Sequence, residues 1–323
     1  MKAAYVSGRD VLTLVDAQMP EAGPKDLVVR VRAAALNRAD LGMLAIGLAA
    51  GAIPYVAGCE FAGEVTAVGP DAAAAGFRSG DGVMAYGIGA FAEFTRLDHR
   101  LAIRVPTGLD WHQAAASPLG MQTMHDALVT QGRLSQGERV LVHGASSGMG
   151  IQALRMAKAL GAGMVIGSSR SETKLQALRT LGMDAGVNLA DPAWSKRVRE
   201  LTGGRGVDVV IDMVTGDTVA GSLAAAAVLG RIVNVGRLGG SAGNFDFDVH
   251  ALNRLTYVGV TFRTRSTDEI QALIARAERD LGARMSDGSL AIPIDRVFSL
   301  AQVVEAHDYM RSNAHLGKIL IEP

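Results

Sequence analysis

The chain has 323 residues, with 32 basic and 32 acidic side chains, so its formal net charge is zero. A single cysteine excludes an intrachain disulfide framework and structural zinc sites built from three or four cysteines. Zero net charge without a long basic run argues against a protein that coats duplex nucleic acid, and the absence of an export signal predicts a cytoplasmic enzyme or binding protein of about two domains.

The first third of the chain is rich in predicted strands. The opening residues 1–6 predict one strand, and short apolar or alternating runs predict four more, at 27–33, 61–68, 82–86 and 91–97. Glycine and aspartate separate several of these runs. Short strands at this spacing are typical of a compact, partly barrel-like β domain.

Residues 41–59 carry no charge over a length sufficient to cross a bilayer. The run also contains four glycines and one proline, which favour turns and loops. We interpret it as a buried wall of a cleft, interrupted by glycine. A membrane-spanning segment is the alternative.

The middle of the chain alternates predicted strands with predicted helices. The strands are predicted at 139–143, 164–167, 207–211 and 231–235, and the helices at 151–160, 171–181 and in an alanine-rich run through Ala227. Ser171 is a predicted N-cap. This alternation predicts an α/β domain with a parallel sheet and helices on both faces.

The last part of the chain predicts two helices and one strand. The first helix is expected at 268–281. Ser299 and Gln302 form a capping-box pair at the start of the second, which runs to about Met310, and the strand is expected at 318–321. This tail is too short to fold alone, so we expect it to return to the first domain.

The turn that follows the first strand of the alternating region reads GASSGMG at 144–150. Small residues permit a tight turn and a close approach to a pyrophosphate, and the helix N-terminus offers N–H groups to phosphate. Candidate contacts are Gly144, Ala145, Ser147, Gly148 and Met149, although Ala145 and Ser147 stand where the usual fingerprint has glycine. An ordinary strand-to-helix turn is the alternative.

The end of the next strand predicts which dinucleotide binds. An NAD site places Asp or Glu there, whereas this chain has Ser168, Ser169 and Arg170, followed by Lys174. Serines and a guanidinium bind a 2′-phosphate that a carboxylate would repel. We therefore predict NADPH as the cofactor. The alternative is that Arg170 and Lys174 are solvated charges at a helix start.

Several motifs, in this order, resemble the medium-chain dehydrogenase/reductase superfamily. They are LNRAD at 36–40, GCEFAGEV at 58–65, GDGV at 80–83, GAFAEF at 89–94, HGASSGMG at 143–150, TFRTR at 261–265 and HLGKIL at 315–320. The cofactor turn resembles that of the zinc-independent quinone oxidoreductase branch, the zeta-crystallin type. The resemblance implies a GroES-like β-rich catalytic domain (1–118 and 259–323) and a Rossmann NADPH-binding domain with a doubly wound parallel sheet (119–258).

The resemblance implies an NADPH-dependent reductase of quinones or α,β-unsaturated carbonyls that works without zinc. Zinc alcohol dehydrogenases of the superfamily carry a catalytic Cys where this chain has Leu36 and Asn37, and a His–Glu pair where it has Cys59 and Glu60. A catalytic zinc needs three protein ligands, so we expect no metal site. Cys59 is expected to be a small buried residue, with a reactive thiol as the alternative.

By resemblance, the catalytic candidates are Asn37, whose amide is able to donate to a carbonyl or a ribose, and Thr123, beside the nicotinamide. Structural roles in a loop and in a helix cap are the alternatives, and Asp40 is expected to be structural. Relatives place tyrosines just after the Asn. In this chain small aliphatic residues follow Asn37 instead, which suggests either a roomier apolar substrate site or ordinary hydrophobic core. The candidate substrate-lining residues are Gly42, Met43, Tyr55 and Cys59.

The remaining candidate cofactor contacts follow later strands of the Rossmann domain. Asn188 is placed near adenine or ribose, with a turn role as the alternative, and the role of Arg263 is left open between cofactor, substrate and a carboxylate of the fold. The other candidates are Val235, Gly236, Arg237, Phe262 and Thr264. The proton is expected to come from water, without a dedicated acid–base residue.

Two other functions remain open. An enoyl-thioester reductase shares the cofactor chemistry but normally uses a tyrosine donor. A redox sensor would bind NADPH without turnover. The expected partners are a small apolar conjugated carbonyl or quinone and a second copy of the chain, as a homodimer, with no nucleic acid and no membrane.

Overall fold

The computed structural model describes residues 1–48 and 53–323. It divides into two compact units, the first formed by residues 1–119 and 266–323 and the second by residues 120–265. The α/β fold class is confirmed, because a β-rich unit and a unit with a parallel sheet are both present.

Sixteen strands and eleven α-helices lie in the described residues. The strands are β1 (Lys2–Gly8), β2 (Val11–Asp16), β3 (Asp26–Leu36), β4 (Tyr55–Val56), β5 (Glu60–Val68), β6 (Gly82–Tyr86), β7 (Phe94–Asp98), β8 (Ile103–Arg104), β9 (Arg139–Val142), β10 (Met164–Ser169), β11 (Ala185–Asn188), β12 (Val207–Asp212), β13 (Ala226–Asn234), β14 (Thr256–Gly259), β15 (Ile294–Ser299) and β16 (Lys318–Glu322). The helices are α1 (Arg38–Ile46), α2 (Pro70–Ala74), α3 (Trp111–Ala116), α4 (Pro118–His125), α5 (Gly148–Ala159), α6 (Glu172–Leu178), α7 (Trp194–Leu201), α8 (Thr218–Ala225), α9 (Phe247–Leu252), α10 (Thr267–Ser286) and α11 (Val303–Arg311).

The long strand β3 organises the first unit. It pairs antiparallel with β5, β7 and β16, and the described sheet runs in the order β15-β16-β3-β5-β6-β8. Strands β2, β1 and β4 form a smaller sheet. The tail returns as predicted, since Ile319 and Leu320 of β16 lie opposite Leu36 and Ala35. The interior is apolar, with Phe61 among its fully buried side chains.

The second unit, all of whose residues are described, is built on a six-stranded parallel sheet. Its order is β11-β10-β9-β12-β13-β14. The chain therefore adds β10 and β11 on one side of β9 and then β12, β13 and β14 on the other. Strand β12 is buried along its whole length, as expected of a sheet covered on both faces. In such sheets, ligands bind beyond the carboxyl ends of the strands at the point where the order reverses. The turn 144–150 leaves β9 at this point.

One predicted helix limit is wrong. The alanine-rich helix ends at Ala225 rather than Ala227, because Ala226 begins β13 and pairs with Val207 of β12. Sheet pairing here overrides the helix propensity of alanine. In the second unit, β14 pairs with β13, and beyond it Val260 N donates to Asn234 O.

The predicted wall at 41–59 is only partly buried. Its described parts form most of α1 and the short strand β4, and Ile46 and Ile53 are 72% and 86% exposed. Residues 49–52, which include Gly51, lie outside the described residues. None of the described helices is long and apolar enough to cross a membrane.

Candidate active site

A polar cluster lies buried in the first unit where β3, β5 and β16 lie side by side. We call it the Lys318 cluster, and its members are Asn37, Asp40, Cys59, Glu60 and Lys318. Asn37 directly follows β3, whereas Glu60 and Lys318 are the first residues of β5 and β16. Glu60 is completely buried and Lys318 is 3% exposed.

The charged pair in this cluster has its hydrogen-bonding groups engaged. Lys318 Nζ donates to Glu60 Oε2 and, at 2.9 Å, to Asn37 Oδ1. Asn37 Nδ2 donates to Glu60 Oε2 at 2.9 Å and to Ala35 O at 3.2 Å, and Leu119 N donates to Glu60 Oε1 at 2.7 Å. A buried ion pair is stable only when so satisfied. Because its amide is engaged on both sides, Asn37 fits the structural alternative better than a donor to substrate.

Burial disfavours the charged forms of the acidic groups beside the pair. Burial raises the pKa of Asp40 to about 7, against the backbone hydrogen bond from Asn37 N at 2.7 Å and the Cys59 thiol, which lower it. Burial, with Asp40 and Glu60 nearby, also raises the pKa of Cys59 well above its usual range. A protonated, 3% exposed thiol is unsuited to nucleophilic chemistry, so the buried interpretation of Cys59 is supported.

A small cavity adjoins the cluster and brings together two of the predicted lining residues. Met43 and Tyr55 line it together with Asp40 and His307. Cys59 lies instead within the buried cluster. A β-carbon at Gly42 in α1 would meet no atom within 4 Å, so this glycine faces open space.

The Lys318 cluster does not fit a zinc ion. Among residues 1–48 and 53–323, no three His, Cys, Asp or Glu side chains are placed to share a metal. At the positions where zinc alcohol dehydrogenases carry ligands, Glu60 is paired with the Lys318 ammonium and Cys59 keeps its proton. A metal ligand must be deprotonated and free of a competing cation.

In the second unit, the turn after β9 is shaped for close backbone approach. Gly144 has φ +68°, and a β-carbon at Gly150 would lie 2.4 Å from Gly144 O. Ser147 caps α5, since its Oγ accepts from Gly150 N at 3.0 Å and donates to Gly144 O at 2.9 Å. Ala145 is buried and Met149 half-buried, and Gly148 begins α5, so its first N–H groups face the turn.

The end of β10 carries the predicted phosphate-binding residues. Ser169 is buried, with its Oγ accepting from Ser171 N at 3.2 Å, whereas Arg170 is exposed. Ser171 caps α6 as predicted, accepting from Lys174 N at 3.3 Å. Asn188 donates to Glu172 Oε1 at 2.7 Å and accepts from Ala190 N at 2.9 Å, which supports its turn role.

Two further loops leave the same edge of the sheet. Val235 and Gly236 follow β13, where a β-carbon on Gly236 would lie 2.7 Å from Met213 O, and Arg237 is exposed. Residues 262–264 follow β14: Phe262 is half-buried, and Arg263 and Thr264 are exposed. Thr123, 5% exposed in α4, also lies in this unit, whereas Asn37 lies in the other.

An ion pair that the sequence analysis missed holds the second of these loops. The Arg265 guanidinium donates to Oδ2 of the buried Asp126 at 2.6 Å. Its central carbon lies 5.3 Å from the centroid of the Phe262 ring. The Lys318–Glu60 pair was missed as well. Its signal was a charged residue, Glu60 or Lys318, directly before a run of apolar or small residues in each of two strands, because a charge in a buried strand requires a partner.

Loss of the Lys318 ammonium would leave Glu60 buried without its cation. We expect Lys318→Met to lower the free energy of unfolding by about 3–5 kcal/mol. The double variant Lys318→Met/Glu60→Gln should recover part of this loss, because no unpaired charge remains. Urea denaturation of the three proteins measures both effects. Equal losses in the single and double variants would contradict the electrostatic interpretation.

The raised pKa of Asp40 predicts a pH dependence of stability. Between pH 3.8 and about 7 the folded chain keeps this proton while the unfolded chain releases it, so the free energy of unfolding falls as pH rises. We expect Asp40→Asn to remove this contribution to the fall in the free energy of unfolding. Above pH 7 the variant should be more stable than the natural chain. Denaturation across this range, with the exposed Asp71→Asn as control, measures it. Parallel curves for all three proteins would refute the assignment.

Comparison with known proteins places this geometry in a family. Residues 23–107 match the alcohol dehydrogenase GroES-like domain, and residues 148–279 match the family described as zinc-binding dehydrogenase. A quinone oxidoreductase of Pseudomonas aeruginosa is 33% identical, over 99% of this chain and 98% of its own. The structure of mycobacterial Rv1454c complexed with NADPH superposes with a TM-score of 0.88 at 28% identity, covering 100% of both chains.

Longer proteins contain similar segments. Erythronolide synthase EryA2 of Saccharopolyspora erythraea is 34% identical over 91% of this chain, which spans 8% of that synthase. The chain also spans 11–13% of four proteins described as highly reducing polyketide synthases. The match along nearly the full length of a quinone oxidoreductase is decisive: the chain belongs to the medium-chain dehydrogenase/reductase superfamily, in its quinone oxidoreductase branch.

Proposed function

We propose that this protein is an NADPH-dependent reductase of quinones or other α,β-unsaturated carbonyl compounds. The observation that carries the proposal is the set of residues at the carboxyl edge of the second unit's sheet. There a glycine turn follows β9, and β10 ends at Ser169, directly followed by Arg170, with no carboxylate at either position. The quinone oxidoreductase relative and the NADPH-bound neighbour support the same chemistry.

The residues of the second unit fit this dinucleotide. The Gly144 and Gly150 backbone and the first N–H groups of α5 form a cradle that a β-carbon at Gly150 would fill. Ser169 and Arg170 would hold the 2′-phosphate, with Lys174 adding charge, and residues 235–237, 262–264 and Thr123 would hold the nicotinamide end. Bound NADPH supplies hydride from its nicotinamide C4.

The first unit supplies rigid positioning rather than a metal. The Lys318–Glu60 pair fixes the chain at Asn37, from which α1 begins, and Met43 and Tyr55 give the cavity an apolar wall. Because these residues do not fit zinc, an isolated ketone would lack a Lewis acid. A quinone or enone already has an electrophilic carbon, and water supplies the proton.

Reduction of an enoyl thioester is the second candidate. The specific observation in its favour is the similarity to segments of polyketide synthases, four of them described as highly reducing. The absence of tyrosines just after Asn37 weighs against it.

A substrate panel tests the proposal directly. Quinones, enones and enoyl-CoA esters are each mixed with the protein and NADPH, and NADPH oxidation is followed with and without chelator. The proposal expects turnover of quinones or enones that the chelator does not change. Turnover of enoyl-CoA alone would establish the second candidate, and loss of activity with chelator would refute the zinc-free mechanism.

The cofactor preference depends on the guanidinium at the end of β10. We expect Arg170→Glu to raise the KM for NADPH about tenfold or more, because one charge-assisted hydrogen bond is lost and repulsion is added. The KM for NADH should change little. Arg179→Glu, an exposed charge reversal just after α6, is the control. A natural protein that uses NADH better than NADPH would contradict the assignment.

The open space at Gly42 predicts a change of substrate range. Gly42→Tyr places an aromatic ring where the structure has room, so the fold should persist while the KM values for bulky quinones rise severalfold. Gly282→Tyr, another helical glycine with no atom within 4 Å, is the matched control. Steady-state kinetics on the panel measures the change. Identical kinetics on every substrate would remove Gly42 from the substrate wall.

We also propose a homodimer formed at the open edge of β14. In the described residues this strand ends the sheet, and Val228 and Leu229 of β13 lie 55% and 56% exposed. Thr256 and Gly259 are exposed, so the double variant Thr256→Lys/Gly259→Lys should fold but resist edge pairing. Light scattering should give twice the chain mass for the natural protein and the single mass for the variant. A monomeric natural protein would refute the dimer.

A further inference from the structure

His143 lies beneath the glycine turn with both ring nitrogens engaged. It directly follows β9 and is completely buried. Its Nδ1 lies 2.8 Å from Ser168 Oγ on β10, and its Nε2 lies 3.0 Å from Ser222 Oγ on α8. The Trp194 ring of α7 packs against the imidazole in a T-shaped arrangement, with the ring centroids 5.1 Å apart. One side chain thus joins four elements of the second unit.

The hydrogen-bond directions follow from the position of Ser222. Its hydroxyl donates to Thr218 O at 2.9 Å, so toward His143 it acts as an acceptor. Nε2 therefore carries the ring proton, and Nδ1 accepts from the Ser168 hydroxyl. Burial lowers the pKa of His143, although nearby Asp212 opposes this, and the ring stays neutral. The network has one consistent arrangement.

Ser168 transmits this arrangement to the end of β10. Its hydroxyl is held by His143, and its carbonyl accepts from Ala145 N in the glycine turn at 3.1 Å. Ser169 and Arg170 follow immediately. On the β9 side, the backbone from which these two residues would reach a 2′-phosphate is therefore held through Ser168, by the imidazole acceptor and by the Ala145 N–H.

We propose that His143 and Ser168 are positioning residues for 2′-phosphate recognition: His143, in its Nε2–H form, holds Ser168, which sets the direction of Ser169 and Arg170. The inference rests on the proposed use of NADPH. It deepens that proposal by assigning cofactor discrimination partly to groups that do not touch the cofactor.

The test measures binding separately from turnover. Calorimetric titration with NADPH, NADH, 2′,5′-ADP and 5′-AMP isolates the contribution of the 2′-phosphate. Ser168→Ala and His143→Leu should each weaken NADPH and 2′,5′-ADP about fivefold, the value of one hydrogen bond, with NADH and 5′-AMP changed less than twofold. His143→Asn, which keeps an acceptor for the Ser168 hydroxyl, should retain most of the discrimination.

Controls separate this role from simple stabilisation. Thr202→Val removes another buried hydroxyl of the same unit, bonded to Val198 O at 2.9 Å, and should leave the NADPH to NADH ratio unchanged. Ser168→Ala is the smallest change and keeps the test valid if His143→Leu does not fold. Equal weakening of the ligands with and without a 2′-phosphate, or no weakening, overturns the inference. A natural protein without preference for NADPH overturns the cofactor proposal itself.

Discussion

The buried ion pair between Lys318 and Glu60 is the constraint on which the first unit depends. Two opposite charges have left water, and their desolvation is offset only because four hydrogen bonds engage them. Those bonds join the ends of β3, β5 and β16 to the start of α4. The sheet, the chain at Asn37 and the origin of α1 are therefore fixed by one electrostatic requirement.

The second unit has a buried ion pair of its own, Arg265–Asp126, but beneath the glycine turn it solves a similar problem without net charge. There, polar side chains are buried as neutral groups, with His143, Ser168 and Ser222 satisfying one another. A neutral network has little desolvation to overcome but depends on hydrogen-bond direction. The Lys318 cluster thus gains rigidity from charge and the His143 network from directionality, and each lies beside residues proposed to meet ligand.

The sequence predicted the fold well because its signals were local. Alternation, apolar runs and the Ser171 cap depend on neighbouring residues. The glycine turn is recognised from its own small residues, which permit a tight backbone turn. The Ala226 limit was missed because strand pairing outweighed helix propensity. The Lys318 cluster was missed because its two charges lie 258 residues apart. Asn37 was predicted as a donor from resemblance, and only the geometry showed that its amide is already engaged.

The return of the tail to β3 has a consequence for how the chain is made. Residues 120–265 are contiguous and form a unit with its own sheet and core, so they have all their partners as soon as they leave the ribosome. The first unit begins earlier but waits for β16, and until then Glu60 has no cation. Residues 1–119 thus precede the second unit along the chain but complete their sheet only after it.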